Sequence, residues 1–356
     1  MGDAGDWKSA LGWGPDFDKA FAPYAGKGLE PARVILVSRK NLKVISRRKT
    51  EHWARTSGSL IHHADNQGEL PVVGDWVAAR VPDEGEALVH AVLKRRTAFT
   101  RKVPGNGAVP QVLAANIDTV LIVMSLDPDY NVRRLERYLT LAWDSKAKPV
   151  VVLNKRDLID DEEMAEVLED VKGISRDAPL HVMSAINDVD LEQLVGVTGI
   201  GQTIALLGSS GVGKSTIVNR LLGRNAAKTG ETGADGKGKH TTSQRELMRL
   251  PTGGSIIDTP GLREVQLWEG TAGLGKTFDD IESLAQQCRF SDCRHDAEPG
   301  CAVKEALEQE TLPVDRYESW RELQREIERL QLLPSQRGRP ESKRRARVGH
   351  GKSPKE

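Results

Sequence analysis

The chain has little cysteine, no long apolar run and no net charge, and each lack narrows what it can be. Its 356 residues include three cysteines, all between positions 288 and 301. An odd number in one cluster speaks against a disulfide framework and towards metal binding. Nowhere do the roughly 18 apolar residues of a membrane-spanning helix run together. The opening, MGDAGDWKSALGWGPDF, lacks the basic start and apolar centre of a signal peptide, and Asp6 stands where the myristoylation pattern wants Ser or Thr. We therefore expect a cytoplasmic, monomeric protein with no membrane partner. With 38% hydrophobic and 29% charged residues and a mean hydropathy of −0.44, the composition is that of a soluble globular chain, long enough for two or three domains.

Lysines and arginines number 51, as do the acids, which as a total speaks against a nucleic-acid partner. The distribution speaks for one. Arg33, Arg39, Lys40, Lys43, Arg47, Arg48, Lys49 and Arg55 meet only Glu51 within their stretch. After Pro334 come Arg337, Arg339, Lys343, Arg344, Arg345, Arg347, Lys352 and Lys355 against Glu341 and Glu356. Local fields, rather than totals, steer a polyanion.

In chain order, residues 1–30 are rich in Gly and Ala and carry Trp7, Trp13 and Phe17, which reads as a loosely structured arm or a short helix. Residues 31–111 hold short β-like runs, RVILVSR, LKVISR, GDWVAARV and ALVHAVLKR, separated by turn residues. About five strands in this length suggest a closed barrel of the OB type, an oligonucleotide-binding architecture. The basic stretch would then be a phosphate-tracking face, with Trp53 or Trp76 as stacking platforms; Trp76, inside an apolar strand, reads better as core.

From 112 to 275 strands alternate with helices: TVLIVMSL, NVRRLERYLTLAWDS, PVVVLNK, EEMAEVLEDVKG, LHVMSA, DLEQLVGV, TIALLG, STIVNRLLG and GSIIDTPG. This is the pattern of an open, mostly parallel α/β sheet, whose ligands bind outside the carboxyl ends of the strands.

Those strand ends carry the chemistry. Gly208, Ser209, Ser210, Gly211, Val212, Gly213, Lys214, Ser215 and Thr216 follow an apolar run and fit G-x-x-x-x-G-K-[ST]. Glycines turn backbone N–H groups onto phosphate at a helix N-terminus, Lys214 reaches the β/γ-phosphates, and the Ser215 hydroxyl ligates Mg²⁺. Asn154-Lys155-Arg156-Asp157 has the N-K-x-D form, in which the Asp157 carboxylate accepts from guanine N1–H and N2–H₂; adenine has no matching donor pair. Ser184-Ala185-Ile186 fits a short loop that sets a backbone N–H on guanine O6. Asp258-Thr259-Pro260-Gly261 has the D-x-x-G form, with Asp258 holding Mg²⁺ through water and the Gly261 N–H on the γ-phosphate. Thr241 and Thr242, in the Gly-rich loop GADGKGKHTT, are candidate Mg²⁺ ligands that would order this loop as a switch. GTP and GDP are thus the expected substrate and product.

Beyond the sheet, Cys288, Cys293, His295 and Cys301 form C-x₄-C-x-H-x₅-C, four ligands within fourteen residues, suited to one tetrahedral, structural Zn²⁺. The helix-like SWRELQREIERLQLL follows, and residues 335–356 read as a basic disordered tail suited to RNA.

The motif order is unusual. NKRD and SAI precede the phosphate loop, the Thr loop and DTPG, which is a circular permutation of a GTPase domain. With a barrel before it, QVLAANIDTVLIV at the junction, GKGKHTT, and a Cys₃His cluster after it, the chain resembles the RsgA family of circularly permuted GTPases over almost its whole length. The resemblance implies a multidomain α/β protein: an arm (1–30), an OB-type RNA-binding domain (31–111), a permuted P-loop GTPase domain (112–275), a zinc-binding helical domain (276–334) and the tail (335–356). It implies GTP hydrolysis, stimulated by the small (30S) ribosomal subunit and its rRNA, during late subunit maturation. Leu262 stands where Ras-like enzymes have a water-orienting Gln. The resemblance puts His240 in that role, which an imidazole near neutral pH can fill. The alternative is an RNA-binding assembly module whose bound nucleotide is a slow switch and whose hydrolysis is incidental.

Overall fold

The structure, a computed structural model, describes residues 7–38, 41–47, 50–64, 66–102, 110–187, 190–224, 245–258 and 271–331. Strands β1 (Glu30–Val37), β2 (Leu42–Ile45), β3 (Glu51–Thr56), β4 (Trp76–Arg80) and β5 (Ala87–Val92) pair in the order β1-β2-β3-β5-β4, and β4 returns to β1. The expected five-stranded barrel therefore closes. Its interior is filled by Ala32, Val34, Val44, Ala54, Val77, Ala79, Ala87 and Val89. Only small side chains fit so narrow a barrel.

The arm is packed rather than loose. Pro15 at the first turn and acids at positions 16 and 18 favour helix α1 (Pro15–Phe21). Trp13 lies edge-on to Trp76 at 4.8 Å between ring centroids, and Trp7 and Phe17 close on the same ring at 5.8 and 6.0 Å. Trp76 is accordingly core, whereas Trp53 is 48% exposed. A short helix α2 (Gly58–His63), capped by the Ser57 hydroxyl, interrupts the barrel strands.

Alternation along β1 sends Ala32 and Val34 into the barrel and Arg33 out of it, but not to solvent. Arg33 is 1% exposed and donates to the Leu11 carbonyl, the Asn116 carbonyl (3.2 Å) and the Thr203 hydroxyl (2.9 Å). Burial lowers its pKa to about 10, against the pull of Asp118, so it stays charged at neutral pH. This corrects the expectation that Arg33 belongs to a phosphate-tracking face: it clamps the arm, the barrel and the following sheet. Lys43, Arg47 and Arg55 do lie on the barrel surface, each paired with an acid, Glu51, Glu30 and Glu86 respectively. Arg39, Lys40, Arg48, Lys49 and the basic tail lie outside the described residues.

After a two-stranded sheet of β6 (Ala98–Lys102) and β7 (Pro110–Ala115) comes the α/β region. Its elements are β8 (Thr119–Ser125), α3 (Val132–Asp144), β9 (Lys148–Asn154), α4 (Asp161–Ser175), β10 (Leu180–Val182), β11 (Thr203–Leu207), α5 (Lys214–Leu221), β12 (Arg245–Arg249) and β13 (Ser255–Asp258). The strand order is β10-β9-β8-β11-β13-β12, parallel except for β12, as the alternating pattern led us to expect. DLEQLVGV forms a 3₁₀ helix, Leu191–Val197, rather than an α-helix. β12 also pairs with β1 through Leu36–Glu246 and Val37–Arg245, so barrel and α/β sheet are hydrogen-bonded into one.

Both faces of this sheet are covered, which is why its strands read as unbroken apolar runs. Leu121, Val123, Val150, Val152, Ile204 and Leu206 face α5, and their neighbours Val120, Ile122, Met124, Val151, Leu153, Ala205 and Leu207 face a larger core that extends to the C-terminal helices. Those are α6 (Thr271–Thr277), α7 (Asp279–Ala285), α8 (Ala302–Glu308) and α9 (Val314–Gln331). Arg316 of α9, 6% exposed, joins them to α3: it donates to Glu136 at 2.8 Å and to both Asp280 oxygens at 2.7 and 2.8 Å. Among the described residues no helix is long and apolar enough to cross a membrane.

Candidate nucleotide site and metal centre

Because β8, β9, β10, β11 and β13 run parallel, their carboxyl ends share one edge of the sheet. Along that edge lie, in order, Ser184-Ala185 after β10, Asn154–Asp157 at the end of β9, Ser125–Asp127 at the end of β8, the loop Gly208–Gly213 after β11, and Asp258 at the end of β13. The fold thus brings together segments more than a hundred residues apart.

The loop between β11 and α5 is shaped by close approach. A Cβ on Gly208 would stand 2.4 Å from the Val123 carbonyl oxygen, and one on Gly213 would stand 2.2 Å from Asn154 Nδ2. Gly213 caps α5 at φ +97°, in the left-handed region. Only glycine fits at either place, which leaves the backbone free to face an anion at the helix N-terminus. Lys214 Nζ reaches back to the Gly208 carbonyl at 2.8 Å and to the Ser209 carbonyl. Ser210, Gly211 and Ser215 are exposed on the loop and the first turn of α5, Ser209 and Thr216 are half-buried, and Val212 is buried beneath.

One buried side chain ties three motifs. Asn154, 2% exposed, donates through Nδ2 to the Val212 carbonyl at 2.8 Å and accepts the Ala185 N–H on Oδ1 at 3.0 Å. The Ser184 hydroxyl donates to the Asp157 carboxylate, which is otherwise exposed at the edge. Lys155 sits at φ +66°, and this left-handed turn sends its ammonium to Asp127 at 2.7 Å. Burial alone would raise the Asp127 pKa, but hydrogen bonds from Lys155, Ser125 and the Asp129 N–H outweigh it and hold the carboxyl below its usual value. The lysine stem is thereby fixed two residues before Asp157.

Asp258 is exposed at the end of β13, the strand next to β11, which leads through the loop to Ser215 in the first turn of α5. A carboxylate and a hydroxyl are hard oxygen donors of the kind Mg²⁺ takes. His240, Thr241, Thr242 and Gly261 lie outside the described residues.

Sequence reading missed Asp127 and Arg134. Arg134, in the first turn of α3, donates to the Ser209 hydroxyl at 2.7 Å. The only signal for either was a pair of acids, Asp127 and Asp129, just past the end of an apolar strand.

In the segment between α7 and α8 the ligand atoms of Cys288, Cys293, His295 and Cys301 all lie within 4.8 Å of one another. Cys288 Sγ is 3.6 Å from His295 Nδ1 and 3.9 Å from Cys301 Sγ, and His295 Nδ1 is 3.3 Å from Cys301 Sγ. A tetrahedron with Zn–S near 2.3 Å and Zn–N near 2.0 Å has edges of about 3.5–3.8 Å. The donor set and its spacing fit zinc, and Cys301 is itself the N-cap of the short helix α8.

The sequence model of the family described as RsgA GTPase matches residues 92–268. The small ribosomal subunit biogenesis GTPase RsgA of Opitutus terrae is 48% identical over 329 residues, covering 89% of each chain. The protein of the same name from Streptomyces coelicolor is 41% identical, over 96% of this chain and 93% of its own. Among solved structures, YjeQ from Thermotoga maritima superposes with a TM-score of 0.62 at 26% identity, over 84% of this chain and 98% of its own. YloQ, a circularly permuted GTPase, gives 0.59 at 22% identity, over 84% and 95%, a likeness of fold.

Proposed function

This chain belongs to the RsgA family of GTPases, and on that premise we propose that it binds the small ribosomal subunit and hydrolyses GTP there during late maturation. The observation that carries the reading is the Asn154 carboxamide, bonded at once to the phosphate loop and to the Ser184-Ala185 loop. A base reader and a phosphate cradle joined in this way make a guanine-nucleotide site.

In this reading Asp157, held by Ser184, accepts from the guanine donors; the Ala185 backbone meets O6; Asn154 and Lys155 shape the pocket. The loop Gly208–Thr216 receives the phosphates, with Lys214 as the cation on the β/γ oxygens. Ser215 and Asp258 would hold Mg²⁺, which stabilises charge on the departing phosphate when bound. Thr241 or Thr242 would complete the metal site and His240 would orient the attacking water. Cys288, Cys293, His295 and Cys301 hold one structural Zn²⁺.

The exposed Trp53 supports contact between the barrel and rRNA: Lys43 lies over one face of its ring at 4.7 Å from the centroid, a cation for phosphate next to an exposed aromatic ring on which a base can stack. The basic tail adds phosphate contacts, and the protein acts as a monomer.

The test is hydrolysis with and without purified small subunits. Stimulation that is lost in His240→Ala, with GTP affinity and subunit binding retained, is the expected result. Absence of any stimulation would leave an RNA-binding module with incidental hydrolysis. Removing everything after Leu333 should flatten the salt dependence of subunit binding.

A further inference from the structure

Ser209, the second residue of the phosphate loop, is held at both ends. Its carbonyl accepts from Lys214, and its hydroxyl accepts from Arg134 Nη1 at 2.7 Å. Fixing that carbonyl also fixes the next N–H, that of Ser210, because the two groups of a trans peptide point in opposite directions.

Arg134 is itself built into place. Nη1 reaches Asp129 Oδ2 at 2.6 Å and Nη2 reaches Asp129 Oδ1 at 3.2 Å, and its backbone N–H donates to the Asn131 cap at 3.0 Å. Asp129 in turn donates its N–H to Asp127, the carboxylate that holds Lys155. The helix behind Arg134 is anchored on the C-terminal helices: Arg137 forks onto Glu326 at 2.5 and 2.9 Å, and Glu136 takes Arg316 at 2.8 Å. A planar guanidinium can serve Asp129 and Ser209 together, whereas an ammonium offers no such fork.

We propose that Arg134 is a positioning residue for GTP hydrolysis: it fixes Ser209, and through the Ser209 carbonyl it fixes the direction in which Lys214 presents its ammonium to the β/γ-phosphates. It acts through Ser209, since the donors described are taken up by Asp129 and the loop. The inference rests on the phosphate-loop reading above.

Misplacing a catalytic group by about 1 Å can cost on the order of 100-fold in rate. Single-turnover hydrolysis by the full chain should therefore fall about ten- to a hundredfold in Arg134→Ala, with KM for GTP and GDP affinity changed less than about threefold, because the cation matters most as charge builds on the transferring phosphoryl. Arg134→Lys should recover little of the loss. Ser209→Ala should show a similar loss, and the double substitution should be no slower than the slower single, as for two groups acting through one contact.

A merely structural arginine would lower the Tm and leave kcat alone. Either a folded Arg134→Ala with kcat within about twofold of wild type, or losses that multiply in the double variant, would overturn the proposal. If Arg134→Ala does not fold, Ser209→Ala with undiminished kcat overturns it alone. Lys214→Ala separates the two levels: hydrolysis abolished there but intact in Arg134→Ala removes this inference and keeps the phosphate loop, whereas hydrolysis surviving in Lys214→Ala removes both.

Discussion

Asn154 Nδ2 donates to the Val212 carbonyl at 2.8 Å, joining the end of β9 to the phosphate loop 58 residues further along the chain. The bond spans the intervening strand β8 and ties the proposed base reader to the proposed phosphate cradle. Asn154→Asp keeps the shape and the acceptor for Ala185 but faces a carboxylate with a carbonyl. We expect a loss of about 1–3 kcal/mol, the cost of a buried polar group left without its partner. Differential scanning calorimetry and GDP titration would register it, and an unchanged Tm together with unchanged affinity would refute the link.

Asp157→Asn should turn the preference from guanine towards xanthine, since an amide donates to the xanthine 2-oxo group where a carboxylate accepts. Ser184 can still donate to the amide oxygen, so the side chain stays oriented. Competition binding with GTP and XTP decides this, and the wild-type selectivity ratio in the variant would count against Asp157 as the base reader.

Protein purified without added zinc should carry about one Zn²⁺ per chain. Sites of this kind contribute about 10–16 kcal/mol of apparent binding energy, so a strong chelator should melt the C-terminal helices before the sheet. Cys301 also caps α8, with the Lys304 N–H on its sulfur at 3.5 Å; a serine hydroxyl can take over that cap and an alanine cannot, so Cys301→Ser should lose the metal alone and Cys301→Ala helix as well. A metal-free preparation of equal stability would dispose of the site.

Asp280 gives the stability a defined pH dependence. Burial would raise its pKa, but the Arg316 fork outweighs that and holds the carboxyl below its usual 3.8. The unfolded chain, with an aspartate pKa of about 3.9, then binds the proton first on acidification. Stability is therefore complete above that value and is lost as the pH falls through the lower, folded one. Asp280→Asn should cost about 1–3 kcal/mol at pH 7 and should flatten the fall in Tm between pH 6 and 3. Parallel Tm curves for variant and wild type would show that the pair contributes nothing to this dependence.

The sequence by itself determined much of what depends on near neighbours in the chain, although the short helix α2 went unread. A phosphate loop needs its glycines, lysine and serine at fixed places around one helix N-terminus; the Cys₃His cluster that fits zinc lies within fourteen residues; the sheet strands read as unbroken apolar runs because both faces are buried. The permutation was legible too, as nothing but the order of such local motifs. Tertiary structure alone decided what depends on distant partners. Arg33 looks like one more surface cation until the arm, Asn116 and Thr203 close over it, the last 170 residues away. Trp7, Trp13 and Phe17 become core only because Trp76 offers them a ring. Arg134 reads as an ordinary polar position on an amphipathic helix, and its hold on Ser209 exists because β8 and β11 are adjacent in the sheet although α3, β9, α4, β10 and a 3₁₀ helix lie between them in sequence. Periodicity records which face of an element is buried, but not which other element will cover it.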